Sequence, residues 1–189
     1  MDVRTLCLAV LTKGEATGYE IKKMFEEGPF AHFQSASFGS IYPALSRLLS
    51  EGLVQARAQE QDGRPDKKVY SITPAGDAVV QAALTVTPED DIYRSDFLFL
   101  LFFATRLPED RVIELIDQRV AMYRAKQTHI AEQVASRVDS DCCGDPGRET
   151  VAGFGIALYR AAADYLESNK DALIAELRAY RAQRPEAAE

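Results

Sequence analysis

The chain has 189 residues, 47% of them hydrophobic and 27% charged, with a formal net charge of −7. These are ordinary values for a folded protein with room for one large core or two small ones. The longest apolar run, Phe97 to Ala104, is far too short to span a bilayer. Three cysteines are an odd number, which speaks against a disulfide framework and for a reducing, cytoplasmic setting. The charge is unevenly spread. Residues 1–86 balance to −1 and residues 87–189 to −6, so the overall acidity does not exclude a nucleic-acid-binding face in the first half.

The first element places Val3, Leu6, Cys7, Val10 and Leu11 at the spacing of an amphipathic helix. It starts directly after Met1-Asp2, so no secretory signal is expected, and it stops at Lys13-Gly14. Thr17-Gly18-Tyr19-Glu20 has the spacing of a capping box and opens a second helix. Ile21, Met24 and Phe25 are its inward stripe, and Gly28-Pro29 ends it. An aromatic connection, Phe30 to Phe38, leads to a third helix from Ser40 to Glu51. Here Ile41, Leu45, Leu48 and Leu49 are expected to face inward, and Ser40, Tyr42, Ala44, Ser46 and Arg47 outward. Pro43 is expected in its first turn, where no intrahelical partner is lost, with Gly52 as the stop. Leu53 to Glu60 reads as a strand, Gln61 to Lys67 as a turn and Lys68 to Thr73 as a returning strand with Tyr70 and Ile72 on one face. Thr73-Pro74 caps a further helix.

Thr85 to Asp91 marks the expected boundary between an N-terminal domain, 1–86, and a second domain, 87–189. The second half reads as all-helical. A short apolar helix from Asp96 to Arg106 carries Phe97, Phe99, Phe102 and Phe103. Pro108 begins a long helix with a stripe of Val112, Ile116, Val120, Tyr123, Ile130 and Val134. Ser140 to Arg148 interrupts it. The last helix carries Val151, Phe154, Leu158, Ala161, Tyr165, Leu173, Leu177 and Tyr180. Two helices of this length cannot bury both apolar stripes within one small domain, so a second copy of the chain is the simplest cover.

Three short helices followed by a two-stranded hairpin are the order of a winged helix-turn-helix, so the fold class is mainly α with a small β-hairpin. The second helix of such a motif enters the major groove. Ser37, Ser40, Tyr42 and Arg47 are therefore candidates for contacting double-stranded DNA. Arg47 is suited to a guanine or a phosphate, and Tyr42 equally to packing against the wing. Arg64, Lys67 and Lys68 concentrate cations at the hairpin tip, and Lys22 adds one from the second helix. A solvated surface explains each of these charges as simply, so the order of elements carries more weight than any one residue.

These residues resemble the PadR family of transcriptional regulators. Gly18-Tyr19-Glu20-Ile21 is similar to the motif opening that family's second helix. Gly39-Ser40-Ile41-Tyr42-Pro43-Ala44-Leu45, continuing to Glu51-Gly52-Leu53-Val54, is similar to its recognition-helix signature. Gly63-Arg64, Lys68, Tyr70 and Thr73-Pro74-Ala75-Gly76 resemble its wing and following helix. The second half is similar in plan to the family's long C-terminal branch, which includes the phenolic-acid repressors and the virulence activator AphA. The resemblance implies a homodimer that sets two winged helices on a near-palindromic operator, usually as a repressor.

A small-molecule effector, if one exists, is expected against the C-terminal helices, with Phe97, Phe103, Tyr123, Phe154 and Tyr159 as aromatic candidates; dimer core accounts for each of them as well. Cys142-Cys143 lacks the two-residue spacing of a zinc clip, only His32 and His129 are present to complete a site, and no metal or cofactor is expected. No phosphate loop, nucleophile elbow or acid–base constellation is present, so an enzyme is not expected. The alternative function is a helical protein-interaction dimer without DNA binding.

Overall fold

The computed structural model describes residues 1–26, 38–61, 64–138 and 145–183. The chain divides into two compact units, Met1–Asp90 and Asp91–Glu189. Gly28-Pro29, the connection through Ser37, and Cys142-Cys143 lie outside the described residues.

The first unit begins with α1 (Val3–Leu11), capped by the Asp2 carboxylate, which accepts from the Thr5 amide at 2.8 Å. Leu6, Cys7, Val10 and Leu11 are buried as their spacing requires, joined by Leu8, and burial pushes the Cys7 thiol up to about 12. Next comes β1 (Ala16–Thr17), a short strand that periodicity did not reveal. The capping box then opens α2 (Gly18–Glu26): the Glu20 amide donates to Thr17 Oγ1 at 3.2 Å, and Glu20 Oε2 accepts from the Thr17 amide at 2.7 Å. Donation to its carboxylate from the Thr17 amide, and then from the Thr17 hydroxyl at 2.8 Å, holds the Glu20 carboxyl below its usual range. Ile21 and Phe25 are buried.

Helix α3 spans Phe38–Ser50, starting two residues earlier than expected. Pro43 therefore sits in the second turn, and the N–H it lacks is the one that would have met the Gly39 carbonyl. Ile41, Ala44, Leu45 and Leu48 are buried while Leu49 is exposed, which exchanges the expected places of Ala44 and Leu49. The buried four follow the i, i+3, i+4, i+7 rule, and Leu49 falls roughly a quarter turn off that stripe. Gly52, at φ 71°, ends the helix. The Leu53 amide donates to the Leu48 carbonyl at 2.9 Å and the Gly52 amide to Leu49 at 3.2 Å, the paired bonds of a Schellman stop.

The wing is longer than its sequence suggested. Strand β2 (Val54–Gln61) pairs antiparallel with β3 (Arg64–Ile72). The segment expected to be a turn is thus mostly strand, because ladder pairing continues out to Gln61 and Arg64. Strand β1 pairs with the other side of β3, giving the order β1-β3-β2. Helix α4 (Pro74–Leu84) follows, with Thr73 accepting from the Gly76 amide at 3.1 Å. Thr73 Oγ1 also lies within hydrogen-bonding reach of the Gly52 and Leu53 carbonyls. A Cβ on Gly76 would sit 2.2 Å from the Leu53 carbonyl oxygen, so only glycine fits there. Thr73 and Gly76 together lock α4 onto the end of α3.

In the second unit, α5 (Asp96–Phe102) is followed by a 3₁₀ turn, Ala104–Arg106, where a single helix to Arg106 was expected. Helices α6 (Glu109–Val138) and α7 (Pro146–Ala182) form an antiparallel hairpin. Its register is visible in cross-links from the start of α6 to its middle. Glu109 meets Arg178, Asp117 meets Lys170 at 2.6 Å, and Arg124 meets Asp164 and Glu167. Val112, Ile116, Tyr123 and Ile130 of α6 are buried as expected. On α7 the inward face is Tyr159, Ala163, Ile174 and Leu177. Of the apolar stripe read on this helix, Leu177 is buried while Val151, Phe154, Leu158 and Tyr165 are exposed on this chain. Helix α7 is apolar on two faces, and periodicity alone cannot say which one its own chain covers.

Candidate nucleic-acid interface

The outward face of α3 consists of Gly39, Tyr42, Pro43, Ser46, Arg47 and Ser50. These positions again repeat every three or four residues. Gly39 and the serines are small, Arg47 carries the face's one charge, and there is no carboxylate anywhere in Phe38–Ser50. A duplex can approach such a surface without meeting a repelling charge.

Each sequence-derived candidate has a definite place. Ser40 is half-buried at the start of α3. Tyr42 is 40% exposed, and a Cβ on Gly18 would lie 2.7 Å from its ring. The ring therefore packs against the start of α2 while remaining partly exposed, which explains why glycine opens that helix. Arg47 is the tenth residue of α3, about 13 Å along the axis from its first residue. Its Nε donates to Glu51 Oε1 at 2.9 Å. Lys22 pairs with Glu26 at 3.2 Å on α2. Arg64 begins β3 opposite Gln61; Lys67 and Lys68 lie opposite Gln59 and Ala58 and are exposed. Successive strand residues alternate, so Lys67 and Lys68 project from opposite faces of the wing instead of clustering at its tip. Ser37 lies outside the described residues.

Sequence reasoning passed over two arginines in this unit. Arg57 shares the wing face of Lys67, diagonal to it across the ladder, and pairs with Glu15 at 2.6 Å. The signal was the polar alternation Gln55-Arg57-Gln59. Arg4, on α1, donates to the second oxygen of Glu51, and nothing in its local pattern announces that contact.

In the second unit Phe97, Tyr123 and Tyr159 form a connected set and the other two aromatic candidates stand apart. The Tyr123 and Tyr159 rings are 5.8 Å apart, and the Arg119 guanidinium lies 4.7 Å from the Phe97 ring and 5.7 Å from that of Tyr123. Tyr93 Oη is 3.4 Å from Tyr123 Oη. Burial, then the Tyr93 hydrogen bond, pushes the Tyr123 phenol up to about 12. An open groove of about 300 Å³ reaches the Phe97 and Arg119 end of this set, lined also by Asp96, Leu100, Leu115, Gln118 and Met122. Phe103 packs instead on Phe99 and Phe102, and Phe154 is 70% exposed. Among the described residues no cluster of His, Cys, Asp and Glu is arranged to hold a metal ion, and no helix is long and apolar enough to cross a membrane.

Residues 7–82, which run from within α1 through most of α4, match the transcriptional regulator PadR-like family. The chain carries a PadR-like domain. The negative transcriptional regulator PadR of Bacillus subtilis is 29% identical over 120 residues, which are 63% of this chain and 65% of that protein. The chain thus matches just under two thirds of that PadR relative. Over longer spans, the structure of smu.1604c from Streptococcus mutans is 29% identical with a TM-score of 0.81, covering 90% of this chain and 99% of the other. The PadR-like regulator BC1756 from Bacillus cereus is 28% identical with a TM-score of 0.76, covering 95% and 99%. The Bacillus subtilis PadR structure in complex with operator DNA shares the fold at 24% identity and a TM-score of 0.73, covering 92% and 98%.

Proposed function

We propose that this PadR-like transcriptional regulator binds a near-palindromic DNA operator as a homodimer in the cytoplasm and acts as a repressor. Unit 1–86 holds the DNA-binding surface, and residues 87–189 hold the dimer contacts and the effector response. One observation carries the reading. The exposed face of α3 combines small residues and hydroxyls with the cation Arg47 and holds no carboxylate, in a chain with a formal net charge of −7. The first residues of α3, with Ser40 and Tyr42, sit closest to base edges in this arrangement. Arg47, far along the helix, meets backbone phosphate. Arg64, Lys67 and Lys68 extend the contact along the wing, with Ser37 and Lys22 at its margins.

The homodimer rests on the exposed apolar face of α7, with Phe154 70% and Tyr165 68% exposed. Faces of this size on one chain mark an interaction surface. Bacillus subtilis PadR is also known in complex with p-coumaric acid. A small effector of this chain enters the groove at Phe97 and Arg119, with Tyr123 and Tyr159 packed behind Arg119 and Phe103 and Phe154 left to contacts between copies. Binding there releases DNA by favouring a different spacing of the two winged helices.

Fluorescence anisotropy of the chain against its own upstream region, at several salt concentrations, tests the reading. The expected result is tight binding that falls roughly a thousandfold between low and moderate salt, as six to ten phosphate contacts require. Arg64→Ala/Lys68→Ala should lose most of it. The same exposed faces also suit a helical adaptor that binds only proteins. A dimer that retains no affinity for any duplex, upstream or genomic, would establish that second reading.

A further inference from the structure

Glu51 lies just past the end of α3 and touches two arginines from two helices. Its Oε1 accepts from Arg47 Nε at 2.9 Å, and its Oε2 accepts from a terminal nitrogen of Arg4 on α1. The two cations differ in setting. The Arg47 side chain is 67% exposed and that of Arg4 30%, and the Arg4 Nε is buried with no hydrogen-bond partner among the described residues. Arg4 is thus held against the protein, whereas Arg47 reaches Glu51 through Nε and takes no other partner among the described residues. One carboxylate serves a partly buried cation and an exposed one.

We propose that Glu51 is a specificity-determining residue that acts as a shared counter-ion for the recognition helix. Free of DNA, it neutralises the one cation on the outward face of α3. On a matched site, where the first turns of α3 seat fully, Arg47 exchanges Glu51 for a phosphate. Arg4 stays on Glu51, so no unpaired carboxylate is left facing the duplex. On an unmatched site the exchange is incomplete and the cation remains cancelled. An exposed i, i+4 ion pair is weak, so phosphate can displace it. The carboxylate still lowers the field seen by any passing duplex. The assignment rests on the DNA-binding reading given above.

A double-mutant cycle on the full chain tests it, using anisotropy at several salt concentrations. The probes are a random-sequence duplex and the upstream region. Glu51→Gln removes the charge and keeps a single carbonyl acceptor in place of the two oxygens that Arg47 and Arg4 use. It is expected to bind random duplex roughly threefold to tenfold more tightly, with a steeper salt dependence, and to narrow the ratio of upstream to random affinity. In an Arg47→Gln background the same change should move random-duplex affinity by less than about twofold. Arg4→Gln should weaken upstream binding several-fold, because Glu51 then keeps only Arg47. Equal gains from Glu51→Gln in both backgrounds would overturn the proposal in favour of a general charge effect. Unchanged or weakened binding of both probes, or a fall in Tm that tracks the affinity change, would overturn it in favour of a structural role. If the wild-type chain binds neither probe, the DNA-binding reading itself fails. If it binds and the cycle is additive, only the role of Glu51 fails.

Discussion

Among the described residues of Met1–Asp90, four helices and a three-stranded sheet close over one core that runs from Leu6 to Val80, and Ile21, Ile41, Leu45 and Leu48 are fully covered. In Asp91–Glu189, two long helices cover only one side of each other. Two smaller clusters, around Ile116 and around Tyr159, fill the seam, while Phe99, Phe102, Phe154, Leu158 and Tyr165 face outward. The first unit has the geometry of a finished domain. The second has the geometry of half of one. Apolar area of this kind is costly to leave in water, so the second unit, and not the first, offers the surface on which the proposed assembly rests.

The sharpest break in that comparison is Leu48→Ala. Leu48 is fully buried on α3 beneath the outward face, and its truncation should cost the first unit about 2–5 kcal/mol. Urea titration should show that unit unfolding early, while the helical signal of α6 and α7 persists. A single lowered transition for the whole chain would mean that the two units do not unfold separately. Next in size is Phe154→Glu. If a second copy covers that ring, about 1.5–3 kcal/mol of burial is lost per protomer, so dimer dissociation should rise at least tenfold. Sedimentation velocity at micromolar concentration should then show monomer with its helix content intact. An unchanged dimer would move the contact to another face, with the α5 aromatics Phe99 and Phe102 the next to test.

Much of the first unit was legible before any coordinates, because its signals are local. The Thr17–Glu20 capping box, the Gly52 stop and the Thr73-Pro74 cap each need only a few adjacent residues and a fixed hydrogen-bond geometry. What was not legible depended on partners distant in sequence. Strand β1 exists only because Ala16 and Thr17 meet Tyr70 and Val69. The wing extends to Arg64 because ladder pairing outlasts its polar composition. On α7 the stripe could be read but not which part of it the chain itself covers, since the exposed Phe154 and Leu158 are more apolar than the buried Ala163. Of the candidate contacts, Tyr42 and Arg47 could be placed outward from helical spacing alone. The partners Gly18 and Glu51 that constrain them could not.

A smaller effect sharpens the description of the first unit's entry into α2. Thr17→Ala removes an acceptor for the Glu20 amide and should cost about 1 kcal/mol. The companion experiment is pH. Glu20 is held below its ordinary range chiefly by the Thr17 amide, so its contribution is fully present above the unfolded carboxylate pKa, near 4.3. It is lost as pH falls through the lower folded value. Glu20→Gln should therefore narrow the stability gap to wild type as the solution is acidified through that range. Parallel stability curves for the two proteins would show that the carboxylate charge contributes nothing at this cap.

Least of all should depend on the ion pairs that mark the register of α6 and α7. Arg124 reaches both Asp164 and Glu167 and looks like the fastener of the hairpin. All three side chains are substantially exposed, however, and solvent screens such pairs to about 0.2–1 kcal/mol. Arg124→Ala should lower Tm by no more than a few degrees and leave the oligomeric state unchanged. Ala163 is fully buried and Ile130 nearly so, and a Cβ on Gly155 would come 3.2 Å from Ile130 Cδ1. That close approach fixes how the helices slide past one another, and a charge at the rim does not. A loss from Arg124→Ala as large as that from Leu48→Ala would reverse this ordering. It would mean that the second unit is held by its surface network, and that its exposed apolar faces do less in assembly than their size implies.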